Sequence, residues 1–269
     1  MIEEDDDGDW LLDAYEPGPE VRWRVAELGP EAALLYNAMS FLTWQHGAWF
    51  DTHISLNFKL MGIEDQREAA SLMAPFNKEL KRWLAVGPEC PRRRWTKRVR
   101  AAEAQQHLWL YVFEVGSRWG FHAHELCVVP TKQVPAFRAH VRAWWTRAAC
   151  LAELPEAAVH VEHRRPRGWT QPYLRQVHWL RYLLKSMKRD LGRVDHEGRW
   201  RSCEEFLKPE PLSSGKRRTY APQLYGICQD LTRTAQGRAR FRSKLDEGRL
   251  DEVYSGWEEH ARLLRTLSV

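Results

Sequence analysis

HLWLYVFEVGSRWGFHAHELCVV, residues 107–129, is the stretch on which the fold turns. Residues 107–115 are apolar on both alternating faces, the pattern of a strand buried in the middle of a sheet. The link over 116–120, Gly-Ser-Arg-Trp-Gly, is short and bounded by glycines, and it predicts a hairpin into a second strand over 121–129. Pro130 ends that strand and Thr131 is placed to cap a helix. Val134, Phe137, Val141, Trp144 and Trp145 then recur at helical spacing up to residue 150. A short strand over 157–163 and a turn over 164–169 follow. Thr170 as cap and Pro172 in the first turn open a helix that runs to about Asp190.

Upstream, Ile54, Leu56, Phe58 and Leu60 alternate with Ser55, Asn57 and Lys59, which predicts a half-buried strand over 53–60. Between 64 and 84, Ala69, Leu72, Met73, Phe76, Leu80 and Trp83 share one helical face, with Pro75 as the expected kink. The order β-α-β-β-α-β-α is the split βαβ plan. The expected class is therefore α+β, a ferredoxin-like antiparallel sheet with helices on its faces, plus a C-terminal helical region.

Three domain segments follow from the same reading. Residues 1–20 form an acidic, disordered tail; residues 21–190 form the main domain, with its core in 50–190 and a leading helix over 31–44; residues 191–269 are loop-rich and then helical from about 222 to 267. Residues 85–106 read as a basic insertion carrying Arg92, Arg93, Arg94, Lys97, Arg98 and Arg100. Six acids fall in residues 1–9, so the rest of the chain sets 30 acids against 41 bases. A basic body of this kind suits a polyanionic partner. Tryptophans beside arginines, as at Arg22-Trp23-Arg24, Arg82-Trp83, Arg94-Trp95 and Arg199-Trp200-Arg201, would stack bases and grip phosphates, although most indoles are expected in the core.

Cys90, Cys127, Cys150, Cys203 and Cys228 are far apart and form no CxxC pair, which argues for reduced thiols rather than a zinc knuckle or a disulfide framework. No apolar run reaches the ~18 residues of a membrane span, and the acidic start is unlike a signal peptide. The expectation is a cytoplasmic protein with no membrane partner. Ser213-Ser214-Gly215-Lys216-Arg217 lacks the spacing of a phosphate-binding loop, so no ATPase module is expected.

The chemistry gathers on the central hairpin and on the last helix of the core. His122 and His124 alternate on one strand, so their imidazoles project to one face about 7 Å apart at the root and can reach one metal ion. With a three-residue loop, Glu114 pairs opposite His122 and points to the same face. A carboxylate in an apolar strand is costly unless it is paired or binds a cation. Tyr182 and Lys185, three apart on a helix, share a face. A phenol with a pKa near ~10 needs a polarised target or a nearby cation to attack phosphorus, and Lys185 supplies one.

These residues together resemble the three ordered motifs of the HUH endonucleases, the rolling-circle replication initiators with a single catalytic tyrosine. His53-Ile54-Ser55-Leu56-Asn57-Phe58 resembles the first motif. Gly120-Phe121-His122-Ala123-His124-Glu125-Leu126 resembles the second, and Trp179-Leu180-Arg181-Tyr182-Leu183-Leu184-Lys185-Ser186-Met187-Lys188 the third. The resemblance covers about residues 50–190. It implies that His122, His124 and Glu114 bind Mg²⁺ or Mn²⁺, that Tyr182 is the nucleophile, and that Lys185 stabilises the phenolate or the phosphate.

The implied activity is site-specific nicking and joining of single-stranded or hairpin origin DNA through a 5′-phosphotyrosyl intermediate, in a plasmid or phage. A helicase and a polymerase would be supplied in trans. Single-tyrosine transposases and relaxases use the same chemistry. One alternative is a non-catalytic origin-binding protein on the same scaffold, against which the joint presence of His122, His124, Tyr182 and Lys185 argues; another is a metal hydrolase acting through water, which would survive loss of the Tyr182 hydroxyl. Where some relatives carry a second tyrosine, this chain has Ser186.

Overall fold

In a computed structural model that describes residues 24–25, 31–86, 106–116, 120–163, 170–186, 191–211, 220–221 and 225–257, the 107–129 stretch folds as a hairpin. Five strands, β1 (Thr52–Asn57), β2 (Trp109–Gly116), β3 (Gly120–Cys127), β4 (Val159–His163) and β5 (Tyr225–Ile227), form one sheet. Their order is β4-β1-β3-β2-β5 and every neighbouring pair is antiparallel. Four long helices accompany them: α1 (Glu31–His46), α2 (Gln66–Val86), α3 (Val134–Ala148) and α4 (Thr170–Leu183). The class is mixed α+β.

The hairpin register is the one that matters for chemistry. Gly116 pairs with Gly120, and two residues further in Glu114 pairs with His122. Gly120 has φ +66°, in the left-handed region that glycine enters without a Cβ penalty, and so it can return the chain into β3. Both faces of β2 are buried, with Trp109, Tyr111 and Phe113 on one and Leu110, Val112 and Glu114 on the other.

The first of these faces packs on α2 and α3. Phe113 and Phe121 stack with ring centroids 4.9 Å apart, and Phe58 lies 5.5 Å from Phe121 and 5.6 Å from Trp145 of α3. Phe76 of α2 is 5.2 Å from the same indole. Burying these five rings fixes the two helices on that face, since each large apolar side chain contributes roughly 1.5–3 kcal/mol. The opposite face receives α4, whose Trp179 and Tyr182 rings lie 5.8 and 6.1 Å from the ring of His53. Gln176 ties α4 to its neighbours. Its Oε1 accepts the Phe50 amide at 2.7 Å and its Nε2 donates to Thr43 of α1 at 3.0 Å.

Three local expectations are corrected. Thr131 does not cap α3; it opens a 3₁₀ turn (Thr131–Gln133) and its hydroxyl sits 3.4 Å from His163 Nε2, while Gln133 precedes the helix. The last α-helix ends at Leu183 and tightens into a 3₁₀ turn (Leu184–Ser186), where α-helix was expected; residues 187–190 of that expectation lie outside the described residues. Over its described residues 225–257 the C-terminal part is not the continuous helix expected from about 222 to 267. Its described residues hold β5, a six-residue helix (Arg233–Arg238), 3₁₀ turns and irregular chain. Left-handed Arg240, Gly248 and Gly256 interrupt any longer helix.

This segment also shares the core of α1, through Tyr36 donating to the Val253 carbonyl and Ser243 donating to Asn37 at 2.7 Å. Of the arginine-flanked tryptophans, Trp23 and Trp95 lie outside the described residues, Trp83 packs against the core and Trp200 is exposed. The described cysteines, Cys127, Cys150, Cys203 and Cys228, are free thiols. Among the described residues no helix is long and apolar enough to cross a membrane.

A buried polar cluster lies beneath the sheet on the α2 side. Asn77 donates to Glu125 Oε2 at 3.2 Å, and His107 Nε2 donates to Asn77 Oδ1 at 2.9 Å. Burial pushes the Glu125 carboxyl up to about 8 against the opposing hydrogen bond from Asn77, and burial takes His107 down to about 3. The folded state therefore holds the Glu125 proton above the pH at which the unfolded chain releases it, and stability falls as pH rises toward 8. His107 acts the other way, but only below its unfolded pKa of ~6.5. Between pH 6.5 and 8 the melting temperature is expected to drop by a few degrees, and Glu125→Gln should flatten that slope. A thermal melt series across this range checks it, and an equal slope in the variant would contradict it.

Candidate metal centre and nucleophile

Glu114 is buried on β2 with its carboxylate directed at two imidazoles of β3. Its Oε2 is 3.3 Å from His122 Nε2 and 3.6 Å from His124 Nε2. One ligand atom from each of the three residues lies within 4.8 Å of the others, so they could hold a single ion. Two donors at right angles on a metal with ~2.1 Å bonds stand ~3.0 Å apart, which is within a few tenths of an ångström of what Glu114 and His122 already have. Two imidazoles and one carboxylate leave the identity of the metal open, and zinc, iron and manganese all take such donors.

The hydrogen bonds of the two histidines orient them as ligands. His122 Nδ1 is 2.9 Å from the Gly120 carbonyl, which can only accept, so Nδ1 carries a hydrogen and Nε2 is the nitrogen turned to the carboxylate. A ring nitrogen and a carboxylate oxygen 3.3 Å apart have a proton or a cation between them. His124 is held likewise, with Nδ1 3.1 Å from both His53 Nε2 and Ser55 Oγ, which leaves its Nε2 toward Glu114. Ligand histidines typically donate their second nitrogen in this way.

Electrostatics keep the carboxylate negative. Burial alone would raise Glu114, but hydrogen bonds from His122 and His124, and the charges of His124 and Lys185, together hold it well below the usual carboxylate range. Burial lowers His124; Glu114 opposes this, and His122 and Lys185 lower it further. His53 is taken well below its ordinary value by burial first, then by His124, His160 and Lys185.

The end of α4 brings the nucleophile candidate to this cluster. The Tyr182 hydroxyl is 3.2 Å from His124 Nε2. In the 3₁₀ turn that follows, residues three apart come nearly into line, and Lys185 Nζ lies 3.3 Å above the centroid of the Tyr182 ring and 2.8 Å from Glu114 Oε2. The structure thus brings Glu114, His122, His124, Tyr182 and Lys185 together. Tyr173 is elsewhere: it is buried and its hydroxyl donates to the Tyr254 carbonyl at 2.8 Å. Arg92, Arg93, Arg94, Lys97, Arg98 and Arg100 lie outside the described residues.

Sequence reasoning missed His53 as an individual member of the site. The signal was present, because it opens the alternating run that places Ser55 and Asn57 on the same face, and it pairs across from Leu126, two residues beyond His124. No family model, curated protein or solved structure matches the chain.

Proposed function

We propose that the protein is a metal-dependent DNA-nicking and strand-joining endonuclease of the HUH type with one catalytic tyrosine, acting on single-stranded or hairpin origin DNA as in the initiation of rolling-circle replication. The observation that carries this reading is the Tyr182 hydroxyl 3.2 Å from His124 Nε2, beside the one carboxylate and two imidazoles of a cation site. The strand order β4-β1-β3-β2, with α2 and α3 on one face, supports a ferredoxin-like core for residues 50–190, with α4 supplying the tyrosine from the other face. Fold by itself implies no activity, so the argument rests on the site.

Glu114, His122 and His124 would hold Mg²⁺ or Mn²⁺. When bound, the ion draws electron density from a scissile phosphate and offsets the charge that develops on it. The Tyr182 oxygen attacks phosphorus, the phenolic proton leaves to solvent, and the bond from phosphorus to the 3′ oxygen breaks with its electron pair on that oxygen. The 3′ oxygen takes a proton, giving a 5′-phosphotyrosyl enzyme and a 3′-hydroxyl for a polymerase to extend. Attack by a 3′-hydroxyl on the phosphotyrosyl bond reverses the step and rejoins the strand. Lys185, above the phenol ring, favours its ionised form. Strand opening falls to a helicase supplied in trans.

Incubation with labelled single-stranded oligonucleotides and Mn²⁺ tests this reading. The expected result is a covalent protein–DNA band that EDTA abolishes, and its absence across a panel that includes hairpins would argue for a binding protein instead. The basic stretch gives a further expectation. If the six cations from Arg92 to Arg100 track phosphates, neutralising three should flatten the log–log salt dependence of binding by about two units, at ~0.7 per phosphate on single strands. An unaltered slope would make the stretch a solvated one.

A further inference from the structure

Glu114 Oε2 is a shared point. The same oxygen that faces His122 Nε2 and His124 Nε2 at 3.3 and 3.6 Å is also the one on which the Lys185 ammonium rests, at 2.8 Å. Lys185 and Glu114 are both buried, so this ion pair is little screened. An ion bound by the carboxylate would sit ~2.1 Å from an oxygen that already carries an ammonium 2.8 Å away. Two cations so close on one oxygen repel each other, and the ammonium also takes up space at the ligand point.

A second resting place is already in contact: Lys185 Nζ lies 3.3 Å from the centroid of the Tyr182 ring, a cation–π position that remains when the carboxylate contact is given up. The 3₁₀ turn is what allows both, since it lines up Lys185 with Tyr182 over the face of the sheet that carries Glu114.

We propose that Lys185 is an internal competitor for the metal: its ammonium occupies the cation's place on Glu114 in the metal-free protein, and metal entry displaces it toward Tyr182. The proposal rests on the reading of Glu114, His122 and His124 as a metal centre. Its consequence is that the apparent metal affinity is reduced by the fraction of molecules in which the lysine holds the carboxylate. The displaced ammonium then rests over the phenol ring, so that the nucleophile receives its cation when the metal has arrived.

The experiment is Mn²⁺ binding measured by calorimetry, without DNA, on the full chain and its variants. Lys185→Met removes the charge at similar length and should tighten Mn²⁺ binding by about tenfold or more, whereas Lys185→Arg keeps the charge and should stay within a few-fold of the parent. The metal-free melting temperature of Lys185→Met should fall and its rise on adding Mn²⁺ should exceed the parent's, because the carboxylate has lost its resident cation. Lys185→Gln, neutral and polar, gives the same comparison should the methionine variant fail to fold.

If the parent binds Mn²⁺ and His122→Ala abolishes that binding, yet both neutral variants bind no more tightly than the parent, the competition is overturned and the metal centre stands. If His122→Ala leaves Mn²⁺ binding intact, or the parent and the neutral variants all fail to bind, the metal centre itself falls and the competition with it.

Discussion

His122→Ala and His124→Ala are each expected to lower Mn²⁺-dependent nicking by at least ~100-fold, with a matching loss of metal affinity. Removing even an outer partner of a metal ligand commonly weakens binding by ~10–100-fold, and these substitutions remove the ligand itself. Only three protein donors converge at this point among the described residues, so losing one leaves two for the ion. The two variants should differ in a secondary way. His124 Nε2 also lies 3.2 Å from the Tyr182 hydroxyl and its Nδ1 contacts His53 and Ser55, so its loss disorders the nucleophile as well, whereas His122 is held mainly through the Gly120 carbonyl. Raising Mn²⁺ should therefore restore more activity to His122→Ala than to His124→Ala. A nicking titration against Mn²⁺ reads both effects, and activity that persists in EDTA would remove the metal from the mechanism.

Tyr182→Phe is expected to eliminate the covalent adduct, a loss on the order of 10⁴-fold or more in strand cleavage, since it deletes the attacking atom. The ring, its packing under Lys185 and the cluster behind it remain. What folding loses is one hydrogen bond to His124, worth about 1 kcal/mol net, against a total stability of roughly 5–15 kcal/mol. Metal and DNA binding should persist, which separates this outcome from unfolding. A hydrolase that activates water on the same ion would keep cutting in this variant, and a protein that only binds origin DNA would not cut in either form.

The central part of this arrangement was legible in the sequence because it depends on local rules. Period-two alternation located β1, a run apolar on both faces located β2, and the glycine-bounded link located β3 and, taken as a three-residue loop, gave the register that sets Glu114 opposite His122. A carboxylate inside an apolar strand was itself a signal, since such a group needs a cation or a donor. The spacing of Tyr182 and Lys185 placed them on one face, and Tyr173 was expected away from it. Nine residues separate it from Tyr182, or 2.5 turns at ~3.6 residues per turn, and it is buried against Tyr254.

Less could be read where tertiary contacts decide. β5 is three residues long, and its Gly226 shows no periodicity. It pairs with β2 because its missing side chain lets Tyr111 lie where a Cβ would be, 2.4 Å from the ring. The tightening of α4 at Leu184 has no mark in the sequence, and it determines that Lys185 reaches both Glu114 and Tyr182. The irregular chain over 239–257 reads as helix by composition, yet it folds onto Tyr36 and Asn37 of α1 through contacts more than 200 residues apart.

The most direct measurement is the identity of the residue that carries the nucleotide. Trapping the adduct with a single-stranded oligonucleotide and Mn²⁺, digesting it and mapping the modified peptide by mass spectrometry should place the nucleotide on Tyr182, in the peptide containing Tyr182-Leu183-Leu184-Lys185. A nucleotide on Tyr173 or any other residue, or strand cleavage with no covalent adduct at all, would contradict the account.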